Sequence, residues 1–162
     1  MKARNKPKPT RTSAGSPVGT WKLVSCIFED AKTKERTLPY GEHPNGYAVF
    51  TPEGRLMALI TGEGRRAPQT EEERVVAFRS AVAYSGRYHV DGNKFVTRVD
   101  IAWHEAWVGT DQERFFRLEG DRLYIESPTT PNLDRSGQTV RGILVWERER
   151  IAPEKGLSCG KK

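Results

Sequence analysis

Short runs in which apolar and polar residues alternate dominate this chain, and such runs predict β-strands. In residues 20–28, TWKLVSCIF, every second side chain would lie on the same face of a strand. The last run, residues 138–150, has the same character and is long enough to be a closing strand. Six further strands are predicted at residues 46–51, 55–61, 84–90, 94–104, 113–120 and 122–127.

Tight turns join most of these strands to the next one along the chain. Pro52 and Gly54 suit the two corners of a turn in TPEGR, and Asp91-Gly92 is a strong hairpin signal. About eight strands joined in this way can remove their exposed edges by closing on themselves. The fold predicted is therefore all-β, an antiparallel up-and-down β-barrel of about eight strands, a size that can hold one small ligand.

One helix is predicted near residues 70–83, TEEERVVAFRSAVA. Thr70 is a good N-cap residue, and Glu73 three positions later completes a capping box. The acidic residues of the first turn also suit the positive end of the helix dipole. Val75, Phe78, Ala81 and Val82 recur at helical spacing and make one apolar face, so we expect the helix to pack on, or to close, another part of the fold.

Composition limits the folded part to one domain, predicted at residues 19–151. Residues 1–18 are rich in Lys, Arg and Pro and contain no acid, so we expect a disordered basic tail. Residues 152–162 are predicted to form a flexible C-terminal tail. The net charge is +6, but its positive excess lies in these two segments, so the barrel is not expected to bind nucleic acid.

The two cysteines, Cys26 and Cys159, belong to no metal-binding pattern, and no metal or other cofactor is expected. The basic N-terminal segment has no apolar region typical of a secretion signal. No apolar run is long enough to span a membrane. These features favour a cytoplasmic location, whereas the oligomeric state, monomer or dimer, stays open.

Candidate functional residues concentrate in residues 103–116, WHEAWVGTDQERFF, which we interpret as a hairpin corner at the open end of the barrel. Tyr and Arg at the edge of an apolar cavity can orient or polarise a carbonyl or carboxylate group. The candidate catalytic residues are therefore Tyr84, Tyr88 and Arg114. The candidate ligand-binding residues are Trp103, Trp107, Gln112, Arg114, Tyr84, Tyr88 and Phe116.

Several of these side chains also have a purely structural interpretation. Arg114 could instead form an ion pair with Asp100 or Asp111. The neighbouring His104 and Glu105 would point to opposite faces of a strand, so they would not act together.

Trp21 is more readily a plug at the closed end of the barrel than a ligand contact. Arg141 or Arg148 would cover this plug by stacking on its indole ring.

The order and spacing of several motifs resemble those of the bacterial and fungal lipocalin-like domain family over about residues 19–149. The motifs are GTWKLVS at 19–25, FTPEGRLMA at 50–58, AYSGRYHVDG at 83–92, AWVGTDQER at 106–114, GDRLYIESP at 120–128 and LVWER at 144–148. The resemblance implies a calycin-type barrel, and related barrels bind small hydrophobic molecules or act as isomerases and cyclases. The family often has a His pair where this chain has Thr97 and Arg98, so no acid–base role carries over to them.

Three functional hypotheses follow. The first is the binding of a small, mostly apolar molecule in the barrel cavity. The second is a cofactor-free isomerase or cyclase of a natural-product type of pathway, in which the same cavity folds the substrate. The third is a protein-interaction domain with a filled barrel. Whether the chain is an enzyme stays uncertain, because no nucleophile or metal motif is present in the sequence.

Overall fold

The protein is described by a computed structural model, which covers residues 15–132 and 138–150. The two predicted tails lie largely outside the described residues. Within the described residues the chain forms one α-helix, α1 (Glu71–Arg79), and a short 3-10 helix (Glu105–Trp107). The strands are β1 (Gly19–Asp30), β2 (Arg36–Thr37), β3 (Asn45–Phe50), β4 (Arg55–Thr61), β5 (Ala81–Asp91), β6 (Lys94–Ala102), β7 (Asp111–Glu119), β8 (Arg122–Glu126), β9 (Thr130–Pro131) and β10 (Thr139–Arg148).

Eight of these strands form a closed antiparallel barrel, which confirms the predicted fold. Each long strand pairs with the next long strand along the chain, from β1 through β3 to β8 and then β10. The barrel closes where β1 pairs with β10, from Trp21 opposite Arg148 to Asp30 opposite Val140. The two-residue strands β2 and β9 pair with one end of β1 and of β10 respectively.

Two β-bulges interrupt the regular alternation of side chains. In β1 the register with β10 shifts between Leu23 and Ser25, so Val24 is the extra residue. Trp21 and Leu23 before the bulge and Cys26 after it therefore all face the interior, although strict alternation assigns Cys26 to the other face.

The second bulge lies in β6, where Ser85 pairs with Ile101 but Gly86 pairs with Val99. The sequence pattern puts Ile101 on the same face as Phe95, Thr97 and Val99. The bulge turns it outward, and Ile101 is 65% exposed while the other three are buried. A bulge inserts one residue into one strand only, so it reverses the inward and outward sets beyond it.

Trp21 closes one end of the barrel, as predicted. Its indole ring is completely buried and lies 4.2 Å from the guanidinium carbon of Arg148. Its Nε1 donates a hydrogen bond to the carbonyl of Pro17, and Arg148 donates one to the carbonyl of Val18. Pro17 and Val18 therefore pack on the closed end of the barrel, although the predicted domain starts at Gly19. Arg141, the other predicted cover for Trp21, instead pairs with Glu29 and Glu126.

The capping box of α1 is confirmed, but the helix is shorter than predicted. Thr70 accepts a hydrogen bond from the Glu73 backbone N–H, and the Glu73 side chain accepts one from the N–H of Thr70. The helix ends at Arg79, and the next two predicted core residues, Ala81 and Val82, belong to β5. No residue of α1 is buried. α1 lies at the open end of the barrel, where Phe78 packs against Trp103.

Candidate functional site

The two ends of the barrel differ in their connections. Short turns at 51–54, 92–93 and 120–121 lie at the end that Trp21 closes, whereas the longer segments 31–44, 62–70 and 103–110 lie at the other end. That open end contains a cavity of about 360 Å³. A volume near 300 Å³ is the lower end of the usual range for small-molecule sites. The side chains of residues 15–132 and 138–150 therefore leave part of the interior unfilled.

The floor and walls of the cavity are mainly apolar. The rings of Phe50 and Phe95 meet edge to face at 5.1 Å and form part of the floor. Strands from all round the barrel supply the rest of the wall. Its apolar members include Cys26, Phe28, Ala48, Leu56, Ala58, Ile60, Val82, Ile125, Val140, Leu144 and Trp146.

Polar side chains are few in the cavity wall, and the most prominent of them come together on one side. Tyr84 of β5 lies opposite Gln112 and Arg114 of β7, with Trp107 beside them. The Tyr84 and Trp107 rings meet at 5.2 Å, and the Arg114 guanidinium carbon lies 5.9 Å from the Trp107 ring. Arg114 donates to the Glu113 carbonyl at 2.7 Å and to Gln112 Oε1 at 3.2 Å. Gln112 in turn donates to Thr110 Oγ1 at 2.9 Å.

The structure separates the seven predicted ligand-binding residues into two groups. Tyr84, Trp107, Gln112 and Arg114 line the cavity. The other three lie outside its wall, each for its own structural reason, and they are Trp103, Tyr88 and Phe116.

Tyr88 and Phe116 lie below the cavity floor. Tyr88 packs on Phe50 at 5.2 Å, and its hydroxyl donates to the Thr51 carbonyl at 3.0 Å. Phe116 is buried in the core and packs against Phe95.

Trp103 lies between Trp107 and the Phe78 ring of α1, at centroid distances of 5.1 and 6.2 Å. Its indole nitrogen is buried and has no hydrogen-bond partner among the described residues.

The structural alternatives for Arg114 do not occur. Asp100 pairs with Arg55 at 2.8 Å, and Asp111 pairs with Arg98 at 3.3 Å. Arg55 also lowers the pKa of the Asp100 carboxyl, mainly through their hydrogen bond. Both carboxylates are therefore already engaged on the outside of the barrel.

His104 and Glu105 belong to a turn rather than to a strand. His104 Nδ1 accepts a hydrogen bond from the Ala106 N–H at 3.2 Å and so caps the 3-10 helix that begins at Glu105. Its ring packs against Trp103 and Phe78. The structure therefore gives His104 a role in holding Trp107 at the cavity rim.

Sequence reasoning missed several cavity residues, among them Phe28, Tyr40 and Cys26. Tyr40 comes from the segment 31–44, where no strand pattern indicates which way a side chain points. Its ring packs edge to face on Phe28 at 6.2 Å. Phe28 also borders a second recess of about 340 Å³ between α1 and Leu38, so its ring lies between that recess and the cavity.

Burial changes the acidity of two cavity residues. It raises the pKa of the Cys26 thiol from 9.0 to about 12, so this residue is a neutral part of the apolar wall. Burial also raises the pKa of Tyr84, although the positive charge of Arg114 acts in the opposite direction. Tyr84 therefore keeps its proton at neutral pH and can donate a hydrogen bond.

These features define a class of protein: a closed eight-stranded barrel whose open end holds an apolar cavity with a few polar groups on one side. The family model described as lipocalin-like domain matches residues 18–149. The chain therefore belongs to the lipocalin-like domain family. No helix among the described residues is long and apolar enough to cross a membrane.

One curated relative carries a functional name. The chain is 34% identical over 87 residues, 49% of this chain and 77% of the relative, to the 4'-hydroxy-3'-methoxypropiophenone carrier protein of Aspergillus oryzae (strain ATCC 42149 / RIB 40). The similarity extends over most of the relative but only half of this chain.

Proposed function

We propose that this protein binds and carries a small, mostly apolar molecule in the barrel cavity. The observation that supports the proposal most directly is the cavity of about 360 Å³, with its apolar wall and its polar groups at Tyr84, Gln112 and Arg114. Apolar surface removed from water drives binding, and a few fixed polar groups orient the ligand. Such a volume equals that of about twelve water molecules, which suits a ligand of roughly ten to fifteen non-hydrogen atoms.

The curated relative supports the same class of function. Its name describes the carriage of a phenyl ketone with hydroxy and methoxy substituents, a flat molecule with an apolar ring and a few oxygen atoms. The aromatic rings of Phe28, Phe50, Phe95 and Trp107 give this chain a wall that suits a flat ring. We therefore propose an aromatic ligand for this chain as well.

Native mass spectrometry of freshly purified protein tests the proposal. We expect an added mass that matches a small organic molecule and that disappears when the cavity is filled. Ala58→Phe fills it, because Ala58 lies on β4 in the cavity wall. Leu59→Phe is the matched control, because the adjacent Leu59 is 52% exposed on the outer surface.

The proposal predicts that Ala58→Phe loses the bound molecule and that Leu59→Phe keeps it. Extraction into an organic solvent and chromatography would then identify the ligand class. If the wild-type protein has no added mass and takes up no apolar aromatic compound at millimolar concentration, the carrier function is wrong.

The isomerase or cyclase hypothesis stays a prediction. Tyr84 and Arg114 lie in one cavity and could polarise a carbonyl, which is the arrangement that such a reaction requires. Incubation of the extracted ligand with the protein, followed by chromatography, would reveal any product of unchanged mass. The cytoplasmic location and the oligomeric state also stay predictions.

A further inference from the structure

We propose that the ligand carries one carboxylate group, which Arg114 binds with the help of the Tyr84 hydroxyl. This inference rests on the proposed function and narrows its ligand to a small aromatic acid. The apolar body would lie toward Phe50 and Phe95, and the charge would lie on the side of the cavity beside Trp107.

The first step of the argument is the missing counter-ion of Arg114. No carboxylate of residues 15–132 or 138–150 forms an ion pair with it. The side chain is partly buried and lies among apolar wall residues. A positive charge in such surroundings loses hydration, and an anion that binds there restores the lost interactions.

The second step is the set of hydrogen-bond donors that Arg114 has left. Two of its N–H groups donate within the protein, to the Glu113 carbonyl and to Gln112 Oε1. These two bonds fix the plane of the guanidinium group, and its other N–H groups have no partner among the described residues. A guanidinium fork held in one orientation matches the two oxygen atoms of a carboxylate.

Tyr84 supplies a second donor close to the same position. Its hydroxyl makes no hydrogen bond to any residue in the described part of the chain, although its ring is held against Trp107. The charge of Arg114 influences the pKa of Tyr84, so the two groups lie within electrostatic reach of each other. Two unused donors that face one apolar cavity define a site for an acceptor group.

A pair of nearly isosteric ligands tests the charge directly. trans-Cinnamate and 4-phenyl-3-buten-2-one have the same number of non-hydrogen atoms and differ where a methyl group replaces one carboxylate oxygen. Isothermal titration calorimetry at pH 7 would measure both affinities. We expect the wild-type protein to bind cinnamate at least about tenfold more tightly, because charge-assisted hydrogen bonds are roughly twice as strong as neutral ones.

Variants of Arg114 test whether this residue causes the preference for cinnamate over the ketone. Arg114→Met keeps an unbranched apolar stem and removes the charge, so we expect cinnamate affinity to fall about tenfold or more and ketone affinity to change less than about threefold. Arg114→Lys keeps the charge without the fork and should give an intermediate loss for cinnamate. Tyr84→Phe should weaken cinnamate binding by a few fold.

Arg98→Met is the matched control, because Arg98 lies on the neighbouring strand with its side chain 64% exposed. It removes the same charge from the outside of the barrel and should leave both affinities unchanged. Thermal unfolding of each variant would establish that the barrel is intact.

Three results would overturn the inference: the ketone binds the wild-type protein as tightly as cinnamate, Arg114→Met weakens both ligands equally, or neither ligand binds. Each leaves the carrier function to be judged separately, by the added mass that Ala58→Phe removes. If the ketone binds more tightly than cinnamate and the purified protein still contains its native ligand, that ligand is a neutral aryl carbonyl compound in the same cavity.

Discussion

At the scale of single residues, Cys26 combines a reactive group with an apolar position. It is buried in the cavity wall, and burial raises the pKa of its thiol from 9.0 to about 12. The folded chain therefore holds the Cys26 proton over a pH range in which the unfolded chain releases it. Because the folded state binds more protons there, the free energy of unfolding must fall as pH rises above 9 and level off only near 12.

Comparison of the wild-type protein with Cys26→Ala isolates this effect, since all other titrating groups are shared. Between pH 8 and pH 10 we expect the unfolding free energy of the wild type to fall by about 1.4 kcal/mol relative to that of Cys26→Ala. Urea unfolding at both pH values measures it. A constant difference would mean that the cavity accommodates the thiolate.

Alternation at this scale indicates which face of a regular strand a side chain lies on, but not its depth in the barrel. Tyr88 and Phe116 lie on regular strands, yet both are below the cavity floor. Gln112 and Arg114 follow simple alternation on β7, and both reach the cavity. Trp103 follows the last residue of β6, so alternation no longer decides where its ring points. It packs toward Phe78 and Trp107 instead, in a cluster that no single strand pattern contains.

At the scale of elements, the bulge between β5 and β6 depends on one glycine. A Cβ atom on Gly86 would lie 2.1 Å from the carbonyl oxygen of Arg98 and 2.9 Å from Cγ2 of Thr97. The two strands approach each other closely here because β6 contains the extra residue Asp100. Only a residue without a side chain allows this approach.

Gly86→Ala should therefore destabilise the protein by about 2–4 kcal/mol, since a backbone contact must give way. Gly92→Ala in the adjoining turn is the control. It has a positive φ of 62° but no heavy atom near its Cβ position, so we expect a loss of only about 1 kcal/mol. Urea unfolding compares the two variants, and equal losses would contradict the steric account of the bulge.

For α1, the local sequence predicts where the helix begins but not which of its side chains are buried. The signals that begin α1, Thr70 and Glu73, are local in sequence and form the predicted capping box. The rest of the fold, in contrast, determines whether the apolar side chains that were expected to pack are buried. Val75 and Phe78 are 48% and 49% exposed, whereas Val82 lies on β5 and lines the cavity.

At the scale of the whole molecule, the barrel has a packed half and an open half. The closed end is filled by Trp21, Phe116, Leu123 and their neighbours, whereas the other end encloses the cavity. Buried packing protects backbone hydrogen bonds from opening, and at the open end a cavity takes the place of packed side chains. Stability should therefore decrease from the closed end to the open end.

Hydrogen exchange measured by mass spectrometry tests this gradient. We expect amides around Leu56 and Leu123 to exchange slowest and those of α1 to exchange at least about a hundredfold faster, because no α1 residue is buried. Peptides from the exposed turn at 91–93 serve as a fast-exchange reference. Protection of α1 as strong as that of β4 would mean that the helix is an integral part of the barrel.

The sequence by itself determined the strands, the tight turns between them, the capping of α1 and the family. These features depend on residue alternation, turn chemistry and local hydrogen bonds, all of which act between near neighbours. The tertiary structure decided which of the candidate side chains reach the cavity and which other residues complete its wall. The bulges at Val24 and Asp100 exchange the inward and outward sets, and Phe28 and Tyr40 meet only after distant segments come together at the open end. A bulge is defined by the register against the partner strand, so alternation within one strand does not reveal it.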